Sequence, residues 1–306
     1  MPSYRSAAPD LYLTRLAFLE DVLFDEIDIE DGVASQLFKM RDMGNKPFVR
    51  TTTMASFGTV PIKAEGADVA YDEMVQGFDR TYTADTYELA FSTSKEALDD
   101  EQEEVFSDAA RALGSSMTYT YNTDHANVFN RGFNSSYTGP DGQVLFATNH
   151  TLVGGGTEQN TLTTAADLSV SSLRDALNDI ADTTDDAGKL VHWRPEILLV
   201  PYENQWLASE LVESSDRSDT ANRAVNAFKT RSDGRLRVVA WPYLTDADAW
   251  FLLASPSVHQ IRSYWRERPN TMHDWSFESS SMKVKIRARW IRSWSDFRGT
   301  YGVAGA

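Results

Sequence analysis

Cysteine is absent from this sequence. Disulfide staples, thiolate nucleophiles and cysteine-bound zinc are excluded with it. Histidine is nearly as scarce: His125, His150, His192, His259 and His273 are the whole complement. No two of them stand at the spacing of a metal-binding helix such as H-E-x-x-H, so no metal centre is expected. No stretch of about twenty apolar residues is present to cross a bilayer as a helix. The opening MPSYRSAAPDLYLTRLAFLED lacks the order of a secretory signal, because its apolar stretch is short and acids follow at once. Production in a cytoplasm, with no membrane partner, is therefore the expectation. Positive charge is the last shortage. The chain carries 29 Lys and Arg against 45 Asp and Glu, a net charge of -16. Such a chain repels phosphate, which argues against broad DNA binding.

Catalytic signatures are missing as well. There is no G-x-S-x-G elbow. AGKL at 187–190 fails as a phosphate loop, because Thr183 stands where the first glycine is needed and Leu190 where Ser or Thr is needed. Gly154, Gly155 and Gly156 do not make G-x-G-x-x-G and are read as a flexible loop. Acids are plentiful, yet no pair is singled out for acid–base work, and a solvated surface is the plainer reading. No enzyme and no cofactor are expected.

The chain has 306 residues with a hydrophobic share of 42%, which supports a core in one large domain or two modest ones. In the leader, EDVLFDEIDIED (20–31) interleaves acids with Val22, Leu23, Phe24, Ile27 and Ile29. A solvated charge run would not carry those apolar groups, so an arm lying on another surface is expected. Residues 47–91 have the pattern of a long hairpin, PFVRTTTMASFGTVPI outward and FDRTYTADTYELAF back. Its polar middle is a poor core, so the hairpin should project and rest on a neighbour. Residues 93–130 predict a helix. Thr93 and Glu96 match a capping box. Leu98, Val105, Phe106, Ala109, Leu113, Met117 and Tyr121 keep helical spacing, and Gly114 marks a bend or break. Residues 131–168 read as loop. Residues 169–268 read as a compact α/β unit: an amphipathic helix through Leu173, Ala176, Leu177 and Ile180, a buried strand EILLVP, a helix NQWLASELVES, and strands RLRVVAWPYL and AWFLLASP.

The most regular stretch is MKVKIRARWIRSW (282–294). Lys283, Lys285, Arg287 and Arg289 alternate with Met282, Val284, Ile286, Ala288 and Trp290, the period of a strand buried on one face. Single-strand nucleic-acid sites set stacking aromatics among the basic residues. Here Trp290 falls with the apolar set instead. The basic row is expected to meet acids, within the subunit or from a neighbour, in the clusters at 20–31 and 99–104. Nucleic acid is the alternative.

In this order the parts resemble the major capsid proteins of tailed bacteriophages, the Hong Kong 97-type fold, and most closely the branch related to the Mu-like major head subunit. LFATNH (145–150), LSVSSLRDALNDI (168–180), DDAGKL (185–190), ILLVP (197–201) and AWFLLASP (249–256) follow the family's order. DFRGTYG (296–302) resembles its closing signature, with Phe297 where Trp is usual. The resemblance implies an α+β fold divided into an N-terminal arm (1–46), an E-loop (47–91), a P domain with the spine helix (92–164), an A domain (165–268) and a return to the P domain (269–306). It implies that the apolar side of the last long strand covers the spine helix. It also implies a structural protein that self-assembles into hexamers and pentamers of an icosahedral shell around double-stranded DNA. Expected contacts between subunits are Arg50, Phe57, Val60, Ile62 and Lys63 on the hairpin, with Lys283, Lys285, Arg287 and Arg289 on the strand. Further expected partners are a separate scaffolding protein, a portal and a decoration protein, with the packaged DNA met indirectly. An encapsulin-type compartment and a soluble enzyme using acidic residues are the alternatives.

Overall fold

The computed structural model describes residues 27, 29, 32–66, 68–94, 96, 103–214, 226–229, 236–276 and 278–306. Two four-stranded sheets and one long helix organise them. The first sheet has the order β1 (Lys39–Asp42), β10 (Ile261–Ser276), β11 (Ser281–Trp294), β4 (Asp85–Ser94). β1 runs parallel to β10, and the other pairs are antiparallel. The second has the order β12 (Thr300–Val303), β9 (Trp250–Leu253), β7 (Ile197–Val200), β8 (Arg237–Ala240). Only β7 and β8 are parallel there.

The helix α2 (Glu103–Asn130) joins the two sheets. Ala110, Leu113, Met117 and Tyr121 recur at three- and four-residue steps and share a core with Ile286, Ala288 and Trp290 of β11 and Trp265 of β10. Further along, Ala126 and Phe129 reach Ile197, Leu199, Phe251 and Leu253 of the second sheet. The opposite face of that sheet, Leu198, Val200, Trp250 and Leu252, packs on α3 (Val170–Asp182) and α4 (Gln205–Glu213). β7 and β9 are buried at every position for this reason, and their sequences show continuous apolar runs rather than alternation. Ser169 caps α3, accepting from the Ser172 backbone N–H while the Ser172 hydroxyl receives the Ser169 N–H.

Several expectations are corrected. Thr93 does not cap the long helix: it lies in β4, paired with Met282 of β11. The helix runs unbroken through Gly114, which is buried, and Ala110 rather than Ala109 faces the core. FDRTYTADTYELAF is two strands that part at Ala84, β3 (Gln76–Thr83) pairing with β2 (Phe48–Met54) while β4 leaves for the first sheet. Gly154–Gly156 form the tight turn between the short strands β5 (His150–Thr151) and β6 (Thr157–Glu158), with positive φ at Gly155 and Gly156. Residues 33–42, expected in the arm, build α1 (Val33–Leu37) and β1, and Ala34, Leu37 and Phe38 enter the core. β10 runs straight through residue 268, where one domain was expected to end, and β12 belongs to the second sheet. Pro269 coincides with the register shifts between Glu267 and Asn270, because proline has no N–H to give a ladder.

Candidate functional site

The hairpin β2–β3 stands on the first sheet over a small core of Met43, Tyr264 and Ile291, against which Val49, Tyr82 and Ala84 pack. Polar ties fasten its base. The Tyr82 hydroxyl donates to the Trp294 carbonyl, and Arg80 donates to the carbonyls of Thr138 and Gly139. Burial pushes the Tyr82 hydroxyl up to about 12. Asp79 accepts from Thr52, Arg50 and Gln76. The Thr52 hydroxyl and then the Arg50 guanidinium hold its carboxyl below the usual range. Arg50, expected at a subunit contact, is thus paired inside its own hairpin.

Beyond Ala55 the chain changes character. Residues 55–75, described except for residue 67, form no strand or helix. They close on themselves through Ala55 N–H to Val75 C=O at 2.9 Å and Gly58 N–H to the Asp72 carboxylate at 2.7 Å. Val60, Ile62 and Tyr71 are 95%, 101% and 94% exposed. Phe57 is half exposed and Lys63 is exposed. So many large apolar groups on one exposed loop are unusual for the surface of a folded domain.

β11 has the alternation of its sequence. Met282, Val284, Ile286, Ala288 and Trp290 are buried. Ile286, Ala288 and Trp290 share the core of the long helix, while Met282 and Val284 lie outside that cluster. Trp290 stacks on Tyr87 at 3.8 Å, meets Tyr121 edge-on at 5.3 Å, and donates its indole N–H to Asp124 at 2.8 Å. Asp124 also accepts from the Tyr87 hydroxyl at 2.9 Å and pairs with Arg292 at 2.8 Å. On the other side of the strand, Lys285 and Arg287 pair with Glu88 of β4 at 3.5 and 3.3 Å, and Arg287 with Glu267 of β10 at 3.2 Å. The acids that meet the basic row are therefore those of the flanking strands, set opposite by register. The acid clusters expected to meet it lie almost wholly outside the described residues. Among the described residues Lys283 and Arg289 have no ion pair.

The separate sequence motifs converge on one place. The His150 ring of LFATNH stacks on Phe297 of DFRGTYG at 3.9 Å and 7°. Arg298 pairs with Asp186 of DDAGKL at 3.3 Å and with Asp296 at 3.2 Å. The Tyr301 hydroxyl donates to Asp179 of α3 at 2.7 Å, and burial first, then Asp179, pushes its pKa up. Asn160, which carried no sequence signal, ties the cluster together. Its amide donates to the carbonyls of Leu145 at 2.8 Å and Thr300 at 3.3 Å, and its oxygen accepts from Ala147 N–H at 2.9 Å. Asp185 of the same turn accepts from Ser56, the second residue of the hairpin loop. Burial works against the Asp185 charge, but the hydrogen bonds from Ser56 and the Lys189 and Ala187 N–H groups prevail and hold its pKa down to about 2. The arrangement fastens the base of the hairpin to the rest of the fold and, among the described residues, brings no catalytic groups together. Among the described residues no group of three His, Asp or Glu gathers as a metal site.

A family model described as phage capsid protein matches residues 78–303. The chain belongs to the phage capsid protein family. Solved structures share the fold. The capsid structure of the cyanophage P-SCSP1u aligns with a TM-score of 0.59 at 9% identity, over 90% of this chain and 88% of that one. The mature capsid of bacteriophage PhiM1 gives 0.59 at 12%, over 89% and 86%. A chain of Microbacterium phage Oxtober96 gives 0.53 at 13%, over 90% and 91%. No curated protein matches. The protein is a major capsid protein, a structural component of the phage head rather than an enzyme, and its place is the virion capsid. In this chain the sequence motifs are joints between elements of that fold.

Proposed function

We propose that this capsid protein closes an icosahedral shell of hexamers and pentamers by laying the loop 55–75 on a neighbouring copy. The observation that supports this is the near-complete exposure of Val60, Ile62 and Tyr71 on a loop whose ties to the rest of the fold, among the described residues, lie at its base. Burying an aliphatic side chain contributes about 1.5–3 kcal/mol, and symmetry repeats the contact in every subunit. In this division residues before 27 are the arm, the hairpin and its loop are the E-loop, the first sheet with α2 is the P domain, and the second sheet with α3 and α4 is the A domain. Phe57 and Lys63 belong to the same loop contact. Lys283 and Arg289 are the members of the basic row left for a neighbour, since Lys285 and Arg287 are engaged within the sheet. A separate scaffolding protein, a portal and a decoration protein complete the head, which assembles in the host cytoplasm and encloses double-stranded DNA that the shell meets indirectly.

The test is co-expression with the neighbouring scaffold gene, followed by negative-stain electron microscopy. The unsubstituted chain is expected to give closed shells. The double variant Val60→Asp, Ile62→Asp is expected to leave subunit stability within about 0.5 kcal/mol, as for other exposed substitutions, and to abolish shells. Normal shells from that variant would refute the loop contact.

A further inference from the structure

Where the base of the hairpin meets the end of α2, the fold leaves a cavity of about 350 Å³. Its walls come chiefly from β3, from the end of α2 with the loop that follows it, and from the end of β11. Arg80, Arg131 and Arg292 line it, each from a different wall, against a single carboxylate, Asp85. In a chain with a net charge of -16, so basic a hollow is the exception.

The lining charges do not cancel. Asp85 is taken by Arg292 at 2.9 Å, and Arg292 also holds Asp124 at 2.8 Å. Asp141, which acts on Tyr82 nearby, is taken by His150 at 2.6 Å. Arg80 and Arg131 have no carboxylate partner among the described residues. Arg80 donates to the carbonyls of Thr138 and Gly139 through one nitrogen, Nη1, and its guanidinium lies 5.8 Å from the centre of the Tyr82 ring. Arg131 lies over the Tyr137 ring at 4.5 Å. Carbonyls and aromatic faces thus hold both guanidiniums in place without neutralising them. The C-terminal end of α2 offsets about half a charge through the helix dipole, which leaves about one and a half positive charges over. Asn127, Ser136 and Thr138 line the same cavity, and their side chains make no hydrogen bond among the described residues.

We infer that this cavity binds a phosphate group. Guanidinium forks match phosphate oxygens. The donors approach from several walls, which suits a tetrahedral ion whose oxygens point all round; a planar carboxylate accepts best near its own plane. Phosphate bound here accepts from Arg80 of the hairpin and from Arg131 at the helix end together, and so ties the hairpin base to the body of the fold. Free phosphate and the backbone of nucleic acid both present this chemistry. The site rests on the cavity and its charges and is independent of the shell reading above.

The test is calorimetric titration of the full-length, unassembled subunit with inorganic phosphate, at an ionic strength held constant with chloride. Saturable binding is expected, with a dissociation constant on the order of 1 mM, because a few charge-assisted contacts are offset by the cost of immobilising the ion. Arg80→Ala and Arg131→Ala should each weaken it about tenfold, the worth of a hydrogen bond to a charged group. Arg131→Lys keeps the charge but loses the fork, and should weaken it less. Arg41→Ala, on β1 and outside the cavity, should leave it unchanged. If Arg80→Ala fails to fold, Arg131→Ala decides alone, since the Arg131 guanidinium rests on the exposed Tyr137 ring. Amide exchange across β3 should slow when phosphate is added to the parent and stay unchanged in Arg131→Ala. A short DNA duplex that competes with phosphate and depends on the same two arginines would support the site with nucleic acid as its source; a duplex that does not compete would support it with free phosphate. Acetate binding as tightly as phosphate, phosphate binding indifferent to both arginines, or no saturable binding would each overturn the assignment.

Discussion

The loss of Asp124 should cost this subunit heavily. The residue sits on the long helix, buried, and satisfies three donors at once: the Trp290 indole, the Tyr87 hydroxyl and Arg292. Asp124→Leu removes the acceptor and leaves a mostly buried guanidinium. Breaking a buried pair from one side costs about 3–5 kcal/mol. The low end applies, because Asp85 remains 2.9 Å from Arg292. The stranded Trp290 and Tyr87 donors add about 1 kcal/mol or slightly less each. The total, about 4–5 kcal/mol, is a large part of an ordinary folding stability of about 5–15 kcal/mol. Urea unfolding of the unassembled subunit, followed by tryptophan fluorescence, reads this directly. With a slope near 3 kcal/mol per molar urea, the midpoint should drop by about 1.5 M. Asp124→Asn keeps the shape and one acceptor and should lose about half as much. Adding Arg292→Met to Asp124→Leu should restore about 1–2 kcal/mol, since the uncompensated charge goes with it. A midpoint shift under about 0.3 M for Asp124→Leu, or no rescue by Arg292→Met, would refute the reasoning.

Two buried histidines make the fold acid-sensitive. Burial lowers His125 to about 3 and His259 to about 4, against an ordinary 6.5. The unfolded chain takes up these protons below pH 6.5 while the folded chain refuses them. Stability is therefore fully present above pH 6.5 and declines as pH falls toward 3, by up to about 1.4 kcal/mol per pH unit for each histidine. Melting temperatures between pH 7 and pH 4 should show this slope, and His125→Gln should flatten it; an unchanged slope would exclude His125 as a source. Gly299 has φ +83°, and a Cβ there would fall 2.9 Å from the His259 backbone, so Gly299→Ala should destabilise by about 1–3 kcal/mol in thermal unfolding. Glu88→Lys reverses the one acid shared by Lys285 and Arg287. These pairs are part-exposed, so the loss should stay near 1 kcal/mol and shrink in high salt; a larger, salt-independent loss would mean the contact is structural rather than electrostatic.

Where one face of an element is buried and the other wet, the sequence announced it. β11 alternates because its two sides meet a helix core and solvent, and α3 keeps Leu173, Ala176 and Ile180 on one stripe. Other signals failed for stated reasons. The Thr93 capping pattern sits in a strand, since pairing with Met282 across the sheet outweighs a local cap. The break at Ala84 is a change of partner, which leaves no mark in hydrophobic period. β1 and α1 were masked by the acidic stretch before them, although Ala34, Leu37 and Phe38 are buried.

Composition and order by themselves determined an acidic, cysteine-free chain with a projecting hairpin, one long amphipathic helix and a strand basic on one side. These are properties of neighbouring residues, and periodicity carries them. Tertiary structure alone decided that Glu88 and Glu267 meet the basic row and that Asn160 and Asp124 hold the joints. Register and sheet order bring together residues up to about two hundred positions apart, and no local pattern encodes such pairings because the free energy that selects them is gained only when distant segments pack.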